Sequence, residues 1–469
     1  MHNELLVIPR DVHRIDPGRI CPRAIEVIQR LKQAGFVAYL VGGGVRDLLL
    51  GHPPKDFDIA TDAHPDDIIG LFRRCRLVGR RFRIAHVYFG REFIEVATFR
   101  AATAPPADAA SDLAGDSNGT ERQQGDRHVE NGRIVRDNVF GTEVEDAWRR
   151  DFTVNALMYD PLDETIRDHV GGFADVQARQ LRLIGDPETR YREDPVRMIR
   201  AIRFIAARGL ELDAAGRAPL ASLAPLIIDV APARLFDEVC KVFLSGYGQR
   251  AFELMAEYGL FQQLFPLTAV QRENGRWCTN PILDTAFANT DHRVRTGKPV
   301  TPGFLFAALL WQPLQRHVDQ LNSEGLHGMD AVYEAMEAVL AEQVTRVAVP
   351  RRYTMISRDI WLMQPRFRRM RGRRVLRFIG ERRFRAAYDF LLLRVLLEPD
   401  LQPIAEWWTK IQEAPLEVQE QMAGLAPGEA AAEIGEGAQR QDSGPPPRRA
   451  RRRGGRRRRR GGGIRPAAE

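Results

Sequence analysis

Cysteine is scarce in this chain. Four occur in 469 residues, at Cys21, Cys75, Cys240 and Cys278, with no pair at C-x-x-C or zinc-ligand spacing. That excludes a disulfide framework and a thiolate metal site, and it fits a reducing, cytoplasmic location. Long apolar runs are missing too. The longest, such as Phe304–Trp311, falls far short of the ~20 residues that cross a bilayer, so no membrane span is expected. The opening MHNELLVIPRD carries acids early and no apolar core segment, so it does not read as a secretory signal. No internal repeat stands out. Acids are absent from one stretch: residues 448–460 hold ten arginines and no Asp or Glu. The formal net charge is +7 with these arginines and −3 without them, so the positive balance is a local device at one end, not a basic fold. Large apolar residues are nearly absent from Ala101–Arg133, which is rich in Ala, Asp, Gly, Ser and Gln. Such a segment buries too little to offset its ordering entropy, and it reads as a long mobile loop inside a domain.

What remains is patterned for a real core: 44% of residues are hydrophobic, and the length predicts two to four domains. A helix is expected over Arg23–Ala34, closed by Gly35, then a β-run over Phe36–Val41 and the glycines Gly42, Gly43 and Gly44. A second helix, Val45–Leu50, ends at Gly51. Strand-like segments follow at Lys55–Thr61, Arg76–Gly79, Arg83–Phe89 and Phe93–Phe99, the last two joined by a Gly90-Arg91 turn. From about Gln177 the pattern is helical. The clearest helix has Asp194 as N-cap, Pro195 in its first turn and Gly209 just past its end. Others are predicted over Ala233–Ser245, Gly248–Tyr258, Met329–Ala341 and Arg382–Glu398. The fold class is therefore α+β. A head with a mixed sheet of about five strands precedes an all-α region and a disordered Arg-rich tail. We divide the chain into a head (1–175, with the loop 101–133), a helical neck (176–245), a helical body (246–424) and a tail (425–469).

The chemistry concentrates in the head. Asp56 and Asp58 bracket Phe57; on a strand both carboxylates would share one face while Phe57 enters the core. Two neighbouring carboxylates repel unless a cation lies between them. A hard divalent ion suits oxygen ligands and phosphate substrates. Just upstream, Gly42–Gly44 open a helix, where bare backbone amides suit a phosphate and Arg46 adds a permanent charge. A surface turn followed by an exposed acidic strand is the plainer alternative. Arg197, Arg200 and Arg203 recur on one side of the Asp194 helix, a pattern that also describes an ordinary solvated face. His86 reads as a packed residue, the Trp407-Trp408 pair as the closure of the last helical unit, and Cys240 as buried and inert.

Four motifs in order carry a resemblance: Gly42-Gly43-Gly44-Val45-Arg46-Asp47 with Asp56-Phe57-Asp58, then Arg149-Arg150-Asp151-Phe152-Thr153-Val154-Asn155-Ala156, then Glu193-Asp194-Pro195-Val196-Arg197, then Arg200-Ala201-Ile202-Arg203-Phe204. Together they resemble the class II tRNA nucleotidyltransferase/poly(A) polymerase superfamily. Further segments, including Cys75–Arg83, Leu183–Arg203, Arg358–Trp361 and Phe384–Asp389, are similar to its bacterial poly(A) polymerase branch. The loop 101–133 looks longer than usual there, and no metal-phosphohydrolase pattern marks a second catalytic unit. The resemblance implies template-independent addition of AMP from ATP to RNA 3′ ends, with pyrophosphate released, in RNA processing and decay. It implies Asp56 and Asp58 as ligands of two Mg²⁺ ions (Mn²⁺ as the substitute), with Asp151 as a third catalytic acid or a holder of the nucleotide sugar. Gly42, Gly43, Gly44, Arg46, Arg149, Arg150 and Asn155 would serve the nucleotide. Asp194 and Arg197 would read the base, beside Arg200 and Arg203. Glu95 either faces the same cleft or makes a cross-strand salt bridge. The neck helices (176–245) and the helical body (246–424) would bind RNA, the arginine tail would capture it without reading sequence, and RNA-decay proteins are expected partners. Two alternatives stay open: a tRNA CCA-adding enzyme, and a non-catalytic RNA-binding protein on the same fold.

Overall fold

The computed structural model describes residues 4–79, 83–101, 127–130, 133–137 and 139–425. The expected tail from 426 onward and most of the 101–133 segment lie outside the described residues.

The head is built on an eight-stranded sheet rather than five. Its strands are β1 (Leu6–Ile8), β2 (Ala38–Val41), β3 (Asp58–Thr61), β4 (Cys75–Val78), β5 (Ile84–Phe89) and β6 (Glu92–Thr98), joined by β9 (Met158–Asp160) and β10 (Thr165–Asp168). They lie in the order β1-β10-β9-β2-β3-β6-β5-β4, and β3–β6 is its parallel pair. The five strands expected from sequence are all present. The three additions, β1, β9 and β10, are only three or four residues long, too short for alternation to betray them. The intervening β7 (Arg127–Glu130) and β8 (Arg133–Asp137) pair antiparallel as a separate hairpin, so the described part of the expected loop is strand. That excursion leaves and returns at one point: Ala101 donates to the Val139 carbonyl and Gly141 to that of Phe99.

Alternation along the central strands feeds both faces of the sheet. Leu40 and Ile59 join the main hydrophobic cluster, while Tyr39, Val41 and Ala60 join a smaller one with Phe99, Ala147 and Met158. Helix α1 (Pro22–Gln33) buries Ala24, Val27, Ile28 and Leu31 on the first face, an i, i+3, i+4, i+7 stripe. Helix α2 (Gly43–Leu49) leaves β2 directly after Gly42, and α3 (Glu143–Arg149) is started by a Thr142–Glu145 capping box.

The neck comprises α4 (Pro187–Glu193), α5 (Val196–Arg208) and α6 (Pro232–Phe243). Asp194 ends α4, and Pro195 is the N-cap of α5. The cap is thus one residue later than expected. Asp194 still accepts from Val196 N–H at 3.3 Å, and Gly209 closes α5 at φ 62°. The body follows as α7 (Gly248–Glu257), α8 (Pro281–Arg295), α9 (Pro302–Leu309), α10 (Gly328–Arg346), α11 (Arg351–Met363), α12 (Arg374–Ile379), α13 (Phe384–Arg394) and α14 (Gln402–Glu413). One hydrophobic cluster runs unbroken from Ile8 to Leu393. A second, from Met363 to Ala423, gathers around Phe367, Phe378 and Trp408. Trp408 is wholly buried, donates to the Phe367 carbonyl at 2.7 Å, and carries Trp407 against it, so the tryptophan pair closes the last unit as expected.

Candidate active site

The register of β2 against β3 sets the geometry. Val41 pairs with Asp58, so the chain turning at Gly42 passes directly beside the Asp58 carboxylate. Gly42 has φ 72° and ψ −134°, a conformation open to glycine and strained for other residues. A Cβ there would also meet Arg150 Nη1 at 3.4 Å. Gly44 has a different reason to be glycine: its Cβ would stand 3.2 Å from the Asp56 carbonyl. Gly44 therefore packs against the segment that presents the two acids.

Asp56 precedes β3 and is exposed, whereas Asp58 opens the strand and is half-buried. The expectation of two carboxylates alternating on one strand is corrected to one at the first position of the strand and one in the approach to it. Burial, then Glu95, then Asp56 push the Asp58 carboxyl up to about 6, against the opposing pull of Arg150. Ile59 pairs with Val96 across β3 and β6, which sets Asp58 and Glu95 on the same face. Glu95 also lies 3.5 Å from His86 Nε2, the cross-strand contact that was one of its two expected roles, and it is not among the residues that line the cavity at Asp58. His86 is not a core residue; it stacks on Phe93 at 4.2 Å between ring centres.

Asp151 sits elsewhere. Its Oδ2 accepts from Arg200 Nε at 2.6 Å, and its Oδ1 accepts from Phe152 N–H at 2.9 Å and Asn155 Nδ2 at 3.1 Å. Burial alone would raise its pKa, but Arg200 and these hydrogen bonds hold it below the ordinary range. Among the described residues no three His, Cys, Asp or Glu side chains form a group that could hold a metal ion. Asp56 and Asp58 therefore stand as a pair near Glu95, with Asp151 in a separate ion pair.

A cavity of about 550 Å³ joins these groups. Gly42, Gly43, Asp58, Arg149 and Arg150 line it with Asp151, Asn155 and Arg200; Asp194, Arg197, Arg203, Phe204, Arg234 and Glu238 complete it. With Arg46 the lining includes seven arginines against four carboxylates, an excess suited to a polyanion. Several of the charged groups are held in place. Arg46 is buried, with donors on Asp47 at 2.9 and 2.7 Å and on Asn155 Oδ1 at 2.6 Å, and its guanidinium lies 4.6 Å from the Phe204 ring centre. Arg150 grips Asp146 at 3.1 and 2.8 Å and donates to the Asn155 carbonyl, and Arg149 Nε is 3.6 Å from Asp146. Arg197 bonds the Arg190 carbonyl and Glu193 at 2.6 and 2.9 Å. Burial lowers the pKa of Arg203, whose Nε has no hydrogen-bond partner.

Several contributors were not legible as site residues. Arg234 forms a two-pronged pair with Asp194 at 2.9 and 2.7 Å, and Glu238, one turn on, brings a buried carboxylate whose Oε2 has no hydrogen-bond partner. Both lie on α6, some 30 residues beyond the last motif, and read as an ordinary amphipathic helix. Arg190 donates to the Arg149 and Arg150 carbonyls, and Arg208 to both oxygens of Asp47. These two tie neck to head. Arg208 sat in plain view at i+5 from Arg203, but only the fold reveals its partner.

A nucleotide-sized cavity beside this sheet, lined by Asp58 and three further carboxylates among seven guanidinium groups, fits one class: a nucleotidyltransferase. Family descriptions agree along the chain: "Poly A polymerase head domain" matches residues 38–182, "Probable RNA and SrmB-binding site of polymerase A" 209–271, and "Polymerase A arginine-rich C-terminus" 324–460. The chain belongs to the bacterial poly(A) polymerase I family. It is 47% identical over 412 residues to poly(A) polymerase I of Salmonella typhi, covering 87% of this chain and 86% of that one. Similarity to the CCA-adding enzyme of Geobacillus stearothermophilus is 35% identity over 251 residues, covering 53% of this chain and 56% of that one. In fold it is similar to a CCA-adding enzyme solved in apo form II, with a TM-score of 0.58 and 18% identity over 92% of this chain and 94% of that one.

Proposed function

We propose that this protein transfers AMP from ATP to RNA 3′ ends without a template, in RNA processing and decay. The observation that carries this reading is the single cavity that runs from the Asp58 carboxylate to the Asp194–Arg234 pair. Family membership favours poly(A) addition over CCA addition, since similarity to the CCA-adding relative covers about half the chain.

The donor set fits a hard dication. It is all oxygen, and the Asp58 carboxyl is raised by burial and by two neighbouring carboxylates, the imbalance that a divalent ion relieves. Asp56 and Asp58 would hold Mg²⁺, with Mn²⁺ as a substitute. Such ions, when bound, neutralise triphosphate charge and acidify a coordinated hydroxyl. The remaining work falls to the chain. Gly42, Gly43 and Arg150 form the phosphate end, where the turn lets the triphosphate approach backbone. Asp151, fixed by Arg200 and Asn155, holds the ribose rather than a metal. Arg46 stiffens this wall, since three of its five N–H groups are committed to Asp47 and Asn155. Asp194 and Arg197 meet the base. A carboxylate has about four acceptor positions, so Asp194 can accept from an exocyclic amine while keeping Arg234. The RNA 3′-oxygen then attacks the α-phosphorus, its proton passes to water, and the bond to the β-phosphate breaks in line to release pyrophosphate. No covalent enzyme intermediate is required.

The test is extension of a generic single-stranded RNA with Mg²⁺ and either ATP or CTP. A long ladder with ATP and little with CTP is expected. Additions from both that stop after three on tRNA would assign CCA synthesis instead. Binding without extension would leave only the non-catalytic role. Asp58→Ala is expected to abolish AMP incorporation and keep RNA affinity.

A further inference from the structure

A second cavity, of about 490 Å³, shares no lining residue with the nucleotide site. It opens in the body, where α10 and α11 meet the turn leading to α12. Met329 and Tyr333 form one wall, four residues apart on α10 and therefore neighbours on one face. Leu362 and Pro365 continue the apolar lining. Tyr333 is 51% exposed and Met329 42%. An aromatic ring left this open beside a cavity has a face available to a flat ligand.

The charged lining is balanced by count, Arg366 and Arg369 against Asp359 and Glu381, but both acids already face arginines. Of its two acids, Glu381 is held by Arg366 through a two-pronged pair, and Asp359 lies 3.8 Å from Arg383. Arg369 is exposed at the cavity and has no ion-pair partner among the described residues. The surroundings reinforce it: residues 366–385 contain ten arginines and one acid, Glu381. Arg371, Arg374 and Arg382 are exposed and likewise have no ion-pair partner among the described residues. This cluster is separate from the arginine run at 448–460.

We propose that this cavity binds bases of single-stranded RNA, holding the substrate strand upstream of its 3′ end. Resting on the RNA-extending reading above, it assigns a place to the part of the strand that the catalytic cavity does not take. An aromatic platform beside guanidinium groups is the combination that holds single strands: bases stack on the ring, and phosphates meet the cations. An acidic peptide would satisfy the arginines but would have no use for the exposed Tyr333 face. Duplex RNA would offer phosphates but no free base to insert.

The experiment measures affinity for a fluorescein-labelled single-stranded RNA of mixed sequence by anisotropy, with the full chain and without ATP. Tyr333→Ala should weaken binding on the order of tenfold, the scale of one base stacked on an aromatic ring. Tyr333→Phe should bind like wild type. Arg369→Gln should weaken binding and reduce the slope of log affinity against log salt by about 0.7, one neutralised phosphate on a single strand. All three should keep the wild-type melting temperature and, at saturating RNA, the wild-type KM for ATP. Wild-type affinity in Tyr333→Ala would overturn the proposal. So would an equal loss on duplex RNA, which would mean a purely electrostatic surface, or a loss confined to polyglutamate, which would point to an acidic protein partner. Failure of the catalytic reading would show separately, as RNA binding without AMP incorporation by the wild type.

Discussion

Asp58 carries the sharpest single-residue consequence. Its carboxyl is raised from the ordinary range to about 6 in the folded, metal-free protein. Between about pH 4 and 6 the native state therefore holds more proton than the unfolded chain, and stability falls as pH rises through that window. Asp58→Asn removes the penalty. In EDTA at pH 7.5 it is expected to stabilise the protein by on the order of 1 to 3 kcal/mol, and to have little effect at pH 4. Paired thermal melts check this; an equal effect at both pH values would mean that the carboxylate is not destabilised. The same residue shows the limit of sequence reading. The D-x-D spacing was visible, but the raised pKa comes first from burial and then from Glu95, brought alongside by the parallel β3–β6 pairing 37 positions away. Cys240 is half-buried rather than buried as expected, and burial and then Asp237 push its thiol up to about 12.

At the scale of elements, the neck is coupled to the head through α2 and α5. Asp47 is nearly buried and accepts from both Arg46 and Arg208. Arg208→Ala leaves its carboxylate half-compensated, with an expected loss of about 2 kcal/mol. Asp47→Ala should cost more, because it strands the buried Arg46 and releases α5 together. Urea midpoints of the two variants check the order; a larger loss for Arg208→Ala would contradict it. The elements themselves followed local rules. Glycines at positive φ close α1 and α5 near the expected positions, and the β5–β6 hairpin turns at Gly90-Arg91. The misses were local too. α10 runs on to Arg346, past the expected Ala341, and β1, β9 and β10 exist because neighbouring strands pair with them, not because three residues of sequence demand it.

At the scale of the molecule, RNA binding is expected to divide between the proposed site around Arg369 and the arginine run at 448–460. The tail is expected to act by counterion release, without base specificity. Replacing its ten arginines with glutamine should flatten the salt dependence of single-stranded RNA binding by about 0.7 in slope for each phosphate that is no longer neutralised. The KM for ATP should not change. A slope equal to wild type would remove the tail from RNA capture.

Local chemistry settled much of this in advance. Glycines that permit positive φ, apolar periods, paired acids and an arginine run each act over a few residues, so the sequence alone determined most element types and the head-then-helices order, while its motifs, through the family resemblance, pointed to Asp56, Asp58, Asp151 and Asp194. Partnership is a different matter, because it depends on which segments meet. Only the tertiary structure decided that Arg200 would neutralise Asp151, that Arg234 would take Asp194, and that Glu238 would enter the nucleotide cavity. The physical reason is range: a backbone torsion is fixed by its neighbours in sequence, whereas a charge is fixed by whatever the folded chain sets within a few ångströms of it.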